Sequence, residues 1–465
     1  MNISINKKGY WLAIGVLISA GSLAGFGQTA SKPLLQDIQV YKEPATAKAS
    51  PAPLVKKTGS STPVSSVRAS LIKTSIPVLA DAMIPGLSGV LVETLDGSVV
   101  VESGSHSPLN PASNVKIATA YAVLKTFGPD YRFPTNVWTD GSYEQSTGTI
   151  HGNLYISGRD PMFGFEHAVT LASELNRMGI RTINGDLVVT DNFAMNYSQS
   201  PQNSSQVLFS TLDASKRSAA ASRTFANHSI SSGKVPGAIS SVTFAGGVYV
   251  QPMPGNVKLL FSHESTTLRE IVKTTMCYSN NFLSERLGDM VGGPYAVARL
   301  VQQNAGVSPA DFYIQTSSGL GTNRVTASAM MKLLRTLRNE LGRYKMTFAD
   351  IMPVAGIDKG TLENRFDTDF STGSVVGKTG TLGQTDGGVS ALAGEINTRG
   401  GKFLFVIFNQ RGSVPRFRSF QNNYVSLIQG QFGGAAPMTY SAIPLNVRMA
   451  KTRITYPDAR AAKME

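Results

Sequence analysis

The sequence predicts a mixed α/β (α+β) protein in which an antiparallel sheet is flanked by helices and a β-rich segment is inserted part-way along. Three observations carry this reading. Hydrophobic residues make up 42% of the chain and glycine occurs 45 times, as in a globular domain with a sizeable core. Near the C-terminus two apolar runs, 389–396 and 402–408, flank Asn397-Thr398-Arg399-Gly400-Gly401, a hairpin signal. Between residues 131 and 261 the texture changes to short alternating runs, at 149–157 and 185–190, with one helical segment at 167–178.

The elements follow in order. Lys7 and Lys8 precede an apolar run over 10–27, and small residues follow to Ala30. Residues 1–30 thus have the positive, apolar, small-residue order of a secretory leader. The run is also long enough for a retained membrane anchor, and it has no cysteine to accept a lipid. Residues 31–75, rich in Pro, Ala, Ser, Thr and Lys, read as a flexible basic linker. Order begins near Ile76 with two apolar runs, 88–94 and 98–102, joined by Leu95-Asp96-Gly97 as a hairpin. A helix then runs to Phe127, where Gly128-Pro129 stops it. The stretch 136–260 reads as the β-rich insert, of which 196–241 is polar, Ser-rich and without a recognisable pattern. Helical periodicity returns over 267–276, 281–291 and 325–341, and a last helix lies around 420–429. The main domain is therefore expected over 76–135 and 261–434, with a basic tail at 435–465.

Charge and chemistry exclude several classes. The net charge of +13 concentrates at the ends, with +5 over residues 28–75 alone. Basic flexible ends suit contact with a membrane surface or an anionic wall polymer. No binding module or aromatic-interleaved basic strand points to nucleic acid. The single cysteine, Cys277, excludes an internal disulfide and any multi-cysteine zinc site. The five histidines are scattered without ligand spacing, so neither a metal centre nor another cofactor is expected.

The helix after Pro111 holds the chemistry. Ser113 stands in its first turn and Lys116 three residues on, on the same face. Val115, Ile117, Ala118, Tyr121, Val123 and Leu124 bury this helix, and burial drives a lysine toward its neutral form. A serine beside such a lysine is an activated nucleophile. Alone the motif means little, since Ser4…Lys7, Ser70…Lys73 and Ser231…Lys234 share its spacing. Only Ser113 opens a long apolar helical run, however.

Two further motifs follow in order: Ser279-Asn280-Asn281 in a turn between helices, and Lys378-Thr379-Gly380 on an expected edge strand. Each has a decoy, Ser4-Ile5-Asn6 in the leader and Lys57-Thr58-Gly59 in the linker. The ordered trio Ser-x-x-Lys, Ser-x-Asn and Lys-Thr-Gly is the signature of penicillin-binding proteins and class A β-lactamases. Taken singly, Ser279 also reads as a helix N-cap, and Tyr278-Ser279-Asn280 as the Tyr-x-Asn of class C β-lactamases.

Over roughly residues 85–430 the chain resembles the peptidase S13 family, low-molecular-mass penicillin-binding proteins that are D-alanyl-D-alanine carboxypeptidases and endopeptidases. Gly128 to Phe133, Gly152-Asn153-Leu154, Asp160-Pro161, Ser318-Gly319-Leu320 and Pro353-Val354-Ala355-Gly356 extend the likeness beyond the three motifs. Thr316-Ser317 stands where an Asp-Gly pair is usual, and the insert has room for one extra domain where the family often has two. The resemblance implies a penicillin-binding-protein/β-lactamase-like transpeptidase fold. It also implies an acyl-enzyme on Ser113, formed from peptidoglycan stem peptides or, as covalent inhibitors, from β-lactam antibiotics. It further assigns roles. Lys116 takes the serine proton, Ser279 passes it to the leaving amine and Asn281 holds the substrate amide. Lys378, Thr379 and Thr381 bind the terminal carboxylate, the N–H groups of Ser113 and Thr381 form the oxyanion hole, and Gly380 lets substrate lie against the strand. An exported enzyme of the periplasm or cell envelope is expected. The rival readings are a serine β-lactamase and a non-catalytic wall-binding scaffold.

Overall fold

The alternation of apolar side chains along the strands decides where the cores lie. The computed structural model describes residues 72–233, 239–368 and 370–457; the leader and most of the linker expected from the sequence fall outside them. After one short helical turn, Pro77–Ala80, come the hairpin β1 (Leu87–Thr94) and β2 (Val99–Ser103), and a 3-10 turn, Ala112–Asn114, leads into α1 (Val115–Phe127). Then come β3 (Arg132–Thr139), β4 (Leu154–Gly158), α2 (Phe165–Arg177), β5 (Leu187–Val189), α3 (Pro201–Leu212), α4 (Ala219–Ser231), β6 (Val248–Val250) and β7 (Lys258–Thr267). The second half carries α5 (Leu268–Tyr278), α6 (Asn281–Met290), α7 (Pro294–Ala305) and α8 (Ala327–Arg343). It continues with β8 (Val375–Leu382), β9 (Val389–Thr398), β10 (Gly401–Gln410), α9 (Val414–Gln431), α10 (Leu445–Met449) and β11 (Arg453–Thr455).

The main sheet has the order β8-β9-β10-β1-β2, antiparallel throughout, so β8 is an edge strand. Side chains alternate across it with the period of two that a strand imposes. Leu91, Ala391, Ala393, Leu404, Val406 and Phe408 face a core shared with α1, α7 and α8. Val90, Val92, Leu392, Phe403, Phe405 and Ile407 face a second core closed by α9. All ten residues of β9 are buried, which fits a central strand covered on both faces.

A separate core lies between α2, α3 and a second sheet of order β6-β5-β4-β3-β7-β11. Its members β4, β5 and β6 run parallel and are joined through helices. Parallel neighbours need such crossovers, so this region is α/β and not the β-rich insert expected. The pattern-free stretch 196–241 holds α3 and α4, whose N-caps are Ser200 and Ser218. Serine-rich composition masked them, because their apolar stripes are weak. The strand β7 runs straight into α5, which ties the second sheet to the helix that ends at Ser279.

Two boundaries differ from expectation. The helix expected around 420–429, α9, starts at Val414 with Pro415 in its first turn, where a missing N–H costs nothing, and the short α10 follows it. The described part of the expected basic tail packs on the domain: β11 pairs with β7, and Arg448 is buried against Glu270 at 2.8 Å. Among the described residues no helix is long and apolar enough to cross a membrane.

Candidate active site

The turn that presents Ser113 is shaped from three sides. Ala112 sits at φ 46°, a left-handed conformation that costs a residue with a Cβ roughly 1–2 kcal/mol. Its N–H donates to Asn110 Oδ1 at 3.0 Å, and Asn110 Nδ2 donates to Asp386 Oδ2 at 2.8 Å. Arg324 grips the same Asp386 with two bonds, 2.9 and 3.1 Å. Two glycines admit the turn. A Cβ on Gly319 would lie 2.0 Å from the Ala112 carbonyl oxygen, and one on Gly380 would lie 2.6 Å from that of Pro111. The missing side chain of Gly380 therefore makes room for the nucleophile's own turn, whereas the sequence reading gave that space to substrate.

Lys116 follows one turn later and is 1% exposed. Its Nζ has three oxygen neighbours: Ser113 Oγ at 3.0 Å, Asn281 Oδ1 at 2.8 Å and the Ser318 carbonyl at 2.7 Å. Burial, reinforced by the charge of Lys378, holds its pKa far below that of an ordinary lysine, and Glu285 opposes the shift. A neutral amine has two hydrogens and one lone pair. The amide oxygen and the carbonyl can only accept, so they take the hydrogens, and the lone pair is left for the Ser113 hydroxyl.

The second motif resolves its own ambiguity. Ser279 ends α5 in the left-handed conformation, φ 54° and ψ 39°. Asn280 caps α6 by accepting the Leu283 N–H at 3.0 Å, so Ser279 is not the N-cap. The left-handed step frees the Ser279 hydroxyl to meet Lys378 Nζ at 2.9 Å and sends Asn281 to Lys116.

Lys378 is fully buried, and its Nζ also donates to the Thr379 carbonyl at 2.7 Å. Burial lowers its pKa to about 7. A second cation at this edge, Arg418 on α9, is exposed, and its guanidinium donates to the exposed Thr381 Oγ1 at 3.0 Å. Thr379 and Thr381 alternate with Lys378 and Gly380 along edge strand β8. The structure thus brings Ser113, Lys116, Ser279, Asn281 and Lys378 together around one turn, and sets Thr379, Gly380 and Thr381 along its border.

Sequence reading missed Arg418, Asn110 and Glu285. Glu285 accepts the N–H groups of Ser317 and Ser318, at 3.0 and 2.9 Å, and so holds the Ser318 carbonyl on Lys116. Its position four residues after Asn281, on one helix face, was the available signal. Thr316-Ser317 is also accommodated. Thr316 Oγ1 accepts the Gly319 N–H at 3.0 Å and donates to the Leu320 carbonyl at 2.9 Å. Ser317 lies against Gly288, where a Cβ would be 2.0 Å from the Ser317 Oγ.

Comparison with solved structures gives the class. A predatory endopeptidase from Bdellovibrio bacteriovorus, acylated by penicillin G and bound to an immunity protein, matches with a TM-score of 0.67 at 21% identity, covering 80% of this chain and 100% of that one. Penicillin binding protein 4 from Haemophilus influenzae, complexed with a β-lactam, matches with a TM-score of 0.56 at 21% identity, covering 75% and 97%. The fold is thus that of the penicillin-binding proteins, α+β with helices on both faces of an antiparallel sheet. The family model for the D-Ala-D-Ala carboxypeptidase 3 (S13) family matches residues 76–242 and 238–427, and the chain belongs to that family as a serine-type carboxypeptidase. Curated relatives agree. The D-alanyl-D-alanine carboxypeptidase of an Actinomadura species is 26% identical over 77% of this chain and 84% of its own length. Carboxypeptidase DacB of Mycolicibacterium smegmatis is 24% identical over 71% and 78%.

Proposed function

We propose that this enzyme cleaves the D-Ala-D-Ala bond of peptidoglycan stem peptides through an acyl-enzyme on Ser113, and that β-lactams acylate the same oxygen. The observation that carries this reading is the environment of Lys116: a buried amine with both hydrogens taken by Asn281 and Ser318 and its lone pair toward Ser113. Lys116 takes the Ser113 proton as Oγ attacks the carbonyl carbon. The N–H groups of Ser113 and Thr381 receive the oxyanion, each worth about 3 kcal/mol in such sites. As the peptide C–N bond breaks, Ser279 passes a proton to the departing amine, and Lys378 at 2.9 Å orients and recharges that hydroxyl. Water then attacks the ester carbonyl, its proton restores the Ser279–Lys378 pair, and Lys116 returns the proton it took to the departing Ser113 oxygen. Asn281 holds the substrate amide on its remaining face.

The substrate's terminal carboxylate meets Thr379, Thr381 and Arg418 at the sheet edge, with Lys378 adding its field from behind. The second sheet and its helices, about residues 136–260, supply none of these groups; they shape access to the site. The leader-like residues 1–30 support a place in the periplasm or cell envelope, where the substrate is.

Labelled penicillin tests the proposal. A long-lived adduct supports the peptidase. Rapid turnover would point to a β-lactamase, and no adduct to a scaffold.

A further inference from the structure

Away from the active site, four chemistry-bearing side chains converge between α2, α4 and β7. Glu166 and His167 begin α2, His228 lies in the last turn of α4, and His263 sits in the middle of β7. Ligating atoms of Glu166, His167 and His228 all lie within 4.8 Å of one another. The His167 ring is centred 5.4 Å from that of His228 and 4.9 Å from that of His263.

Two of these rings are buried with polar atoms that have no partner. His263 is 0% exposed with neither nitrogen bonded, and His167 is 4% exposed with Nε2 unbonded. A buried polar group left unsatisfied is destabilising, so three such nitrogens in one pocket call for an occupant. The other His167 nitrogen, Nδ1, accepts the Gly164 N–H at 3.0 Å. Ligation through Nε2 requires the ring proton on Nδ1, so binding a metal there would exchange the Gly164 N–H contact for that proton. The pocket wall is Phe163, packed on both rings, so no bulk water competes from that side.

We propose that His167, His228, His263 and Glu166 form a zinc site that clips α2 and α4 to β7. Three imidazoles and one carboxylate make a four-coordinate nitrogen and oxygen set that suits Zn2+. All four positions come from the protein, so the site is structural and separate from the Ser113 chemistry. Metal bonds need ligating atoms closer together than they stand here, and the helix-borne His228 and Glu166, both part-exposed, are the ones with room to close in. The five histidines that look scattered in sequence thus include three that the fold gathers.

The test uses the full protein, stripped with a chelator, dialysed against zinc and assayed for bound metal by mass spectrometry. One zinc per chain is expected for wild type. His228→Ala, at a part-exposed position, should bind zinc at least about tenfold more weakly, and Glu166→Gln likewise. Zinc should raise the wild-type melting temperature and leave that of His228→Ala unchanged. Penicillin labelling at Ser113 should persist in both variants, which shows that they fold. Absence of stoichiometric zinc in wild type, or undiminished zinc in a labelled, folded His228→Ala, would overturn the proposal.

Discussion

Glu285 accepts the backbone N–H of Ser318 at 2.9 Å, and the carbonyl of that same Ser318 receives Lys116 Nζ at 2.7 Å. The carboxylate thereby positions one of the two acceptors that use up the hydrogens of a neutral Lys116. Its negative charge also works against the burial that lowers the lysine pKa.

Glu285→Gln should therefore do two things. It replaces one accepting oxygen by an NH2 group, leaving a backbone N–H of Ser317 or Ser318 unpaired, and should slow acylation about tenfold. It removes a charge that favours the protonated lysine, so the acid limb of the acylation profile should move to lower pH. Penicillin acylation rates from pH 5 to 9 would measure both, and an unmoved limb would separate Glu285 from Lys116.

Lys116→Arg keeps the charge but cannot give up a proton near neutral pH. Acylation should be at least about a hundredfold slower, the low end of general-base contributions. Lys116→Ala should lose a similar amount, and adding Ser113→Ala should make little further difference, because residues that act as a unit are not additive. A Lys116→Arg rate near wild type would leave Lys116 as a structural cation only.

Lys378 links the site to stability. Its folded pKa of about 7 lies below the ordinary 10.5 of an unfolded chain. Between these values the unfolded state binds the proton and the native state does not, so stability rises with pH. The slope is at most about 1.4 kcal/mol per pH unit for this group. The penalty is full below pH 7 and gone above 10.5. Urea unfolding of wild type and Lys378→Met at pH 7.5 and 9.5 should show the wild type gaining more on going to alkaline pH. Equal gains would contradict the burial argument.

The fold and the reacting groups were largely legible in the sequence, and the physics says why. A buried helix, a two-residue side-chain period and three motifs in order depend on local spacing, which a sequence displays. Ser113 with Lys116, and Lys378 to Thr381, are of this kind. Arg418 acts across elements brought together by long-range packing, and nothing near it in sequence shows it; for Glu285 the spacing from Asn281 was the one local signal, and its partners Ser317 and Ser318 lie far along the chain. The helices α3 and α4 were missed because Ser204, Ser205 and Ser229 stand on their buried faces and break the apolar stripe, and the packing of the tail because its anchors, Glu270 and Asp358, lie far upstream of Arg448 and Tyr440.

Arg418→Ala should raise KM for a substrate with a free C-terminal carboxylate by about 10- to 150-fold, the worth of one charge-assisted hydrogen bond. An amidated substrate should be handled alike by the mutant and wild type. Equal losses on both substrates would take the carboxylate away from Arg418.

The central claim is that Ser113 carries the acyl group. Intact-protein mass spectrometry after penicillin treatment, followed by peptide mapping, tests it most directly. The expected result is one adduct per chain, on Ser113, and none in a folded Ser113→Ala variant. An adduct on any other residue, or one that survives in Ser113→Ala, would contradict the mechanism.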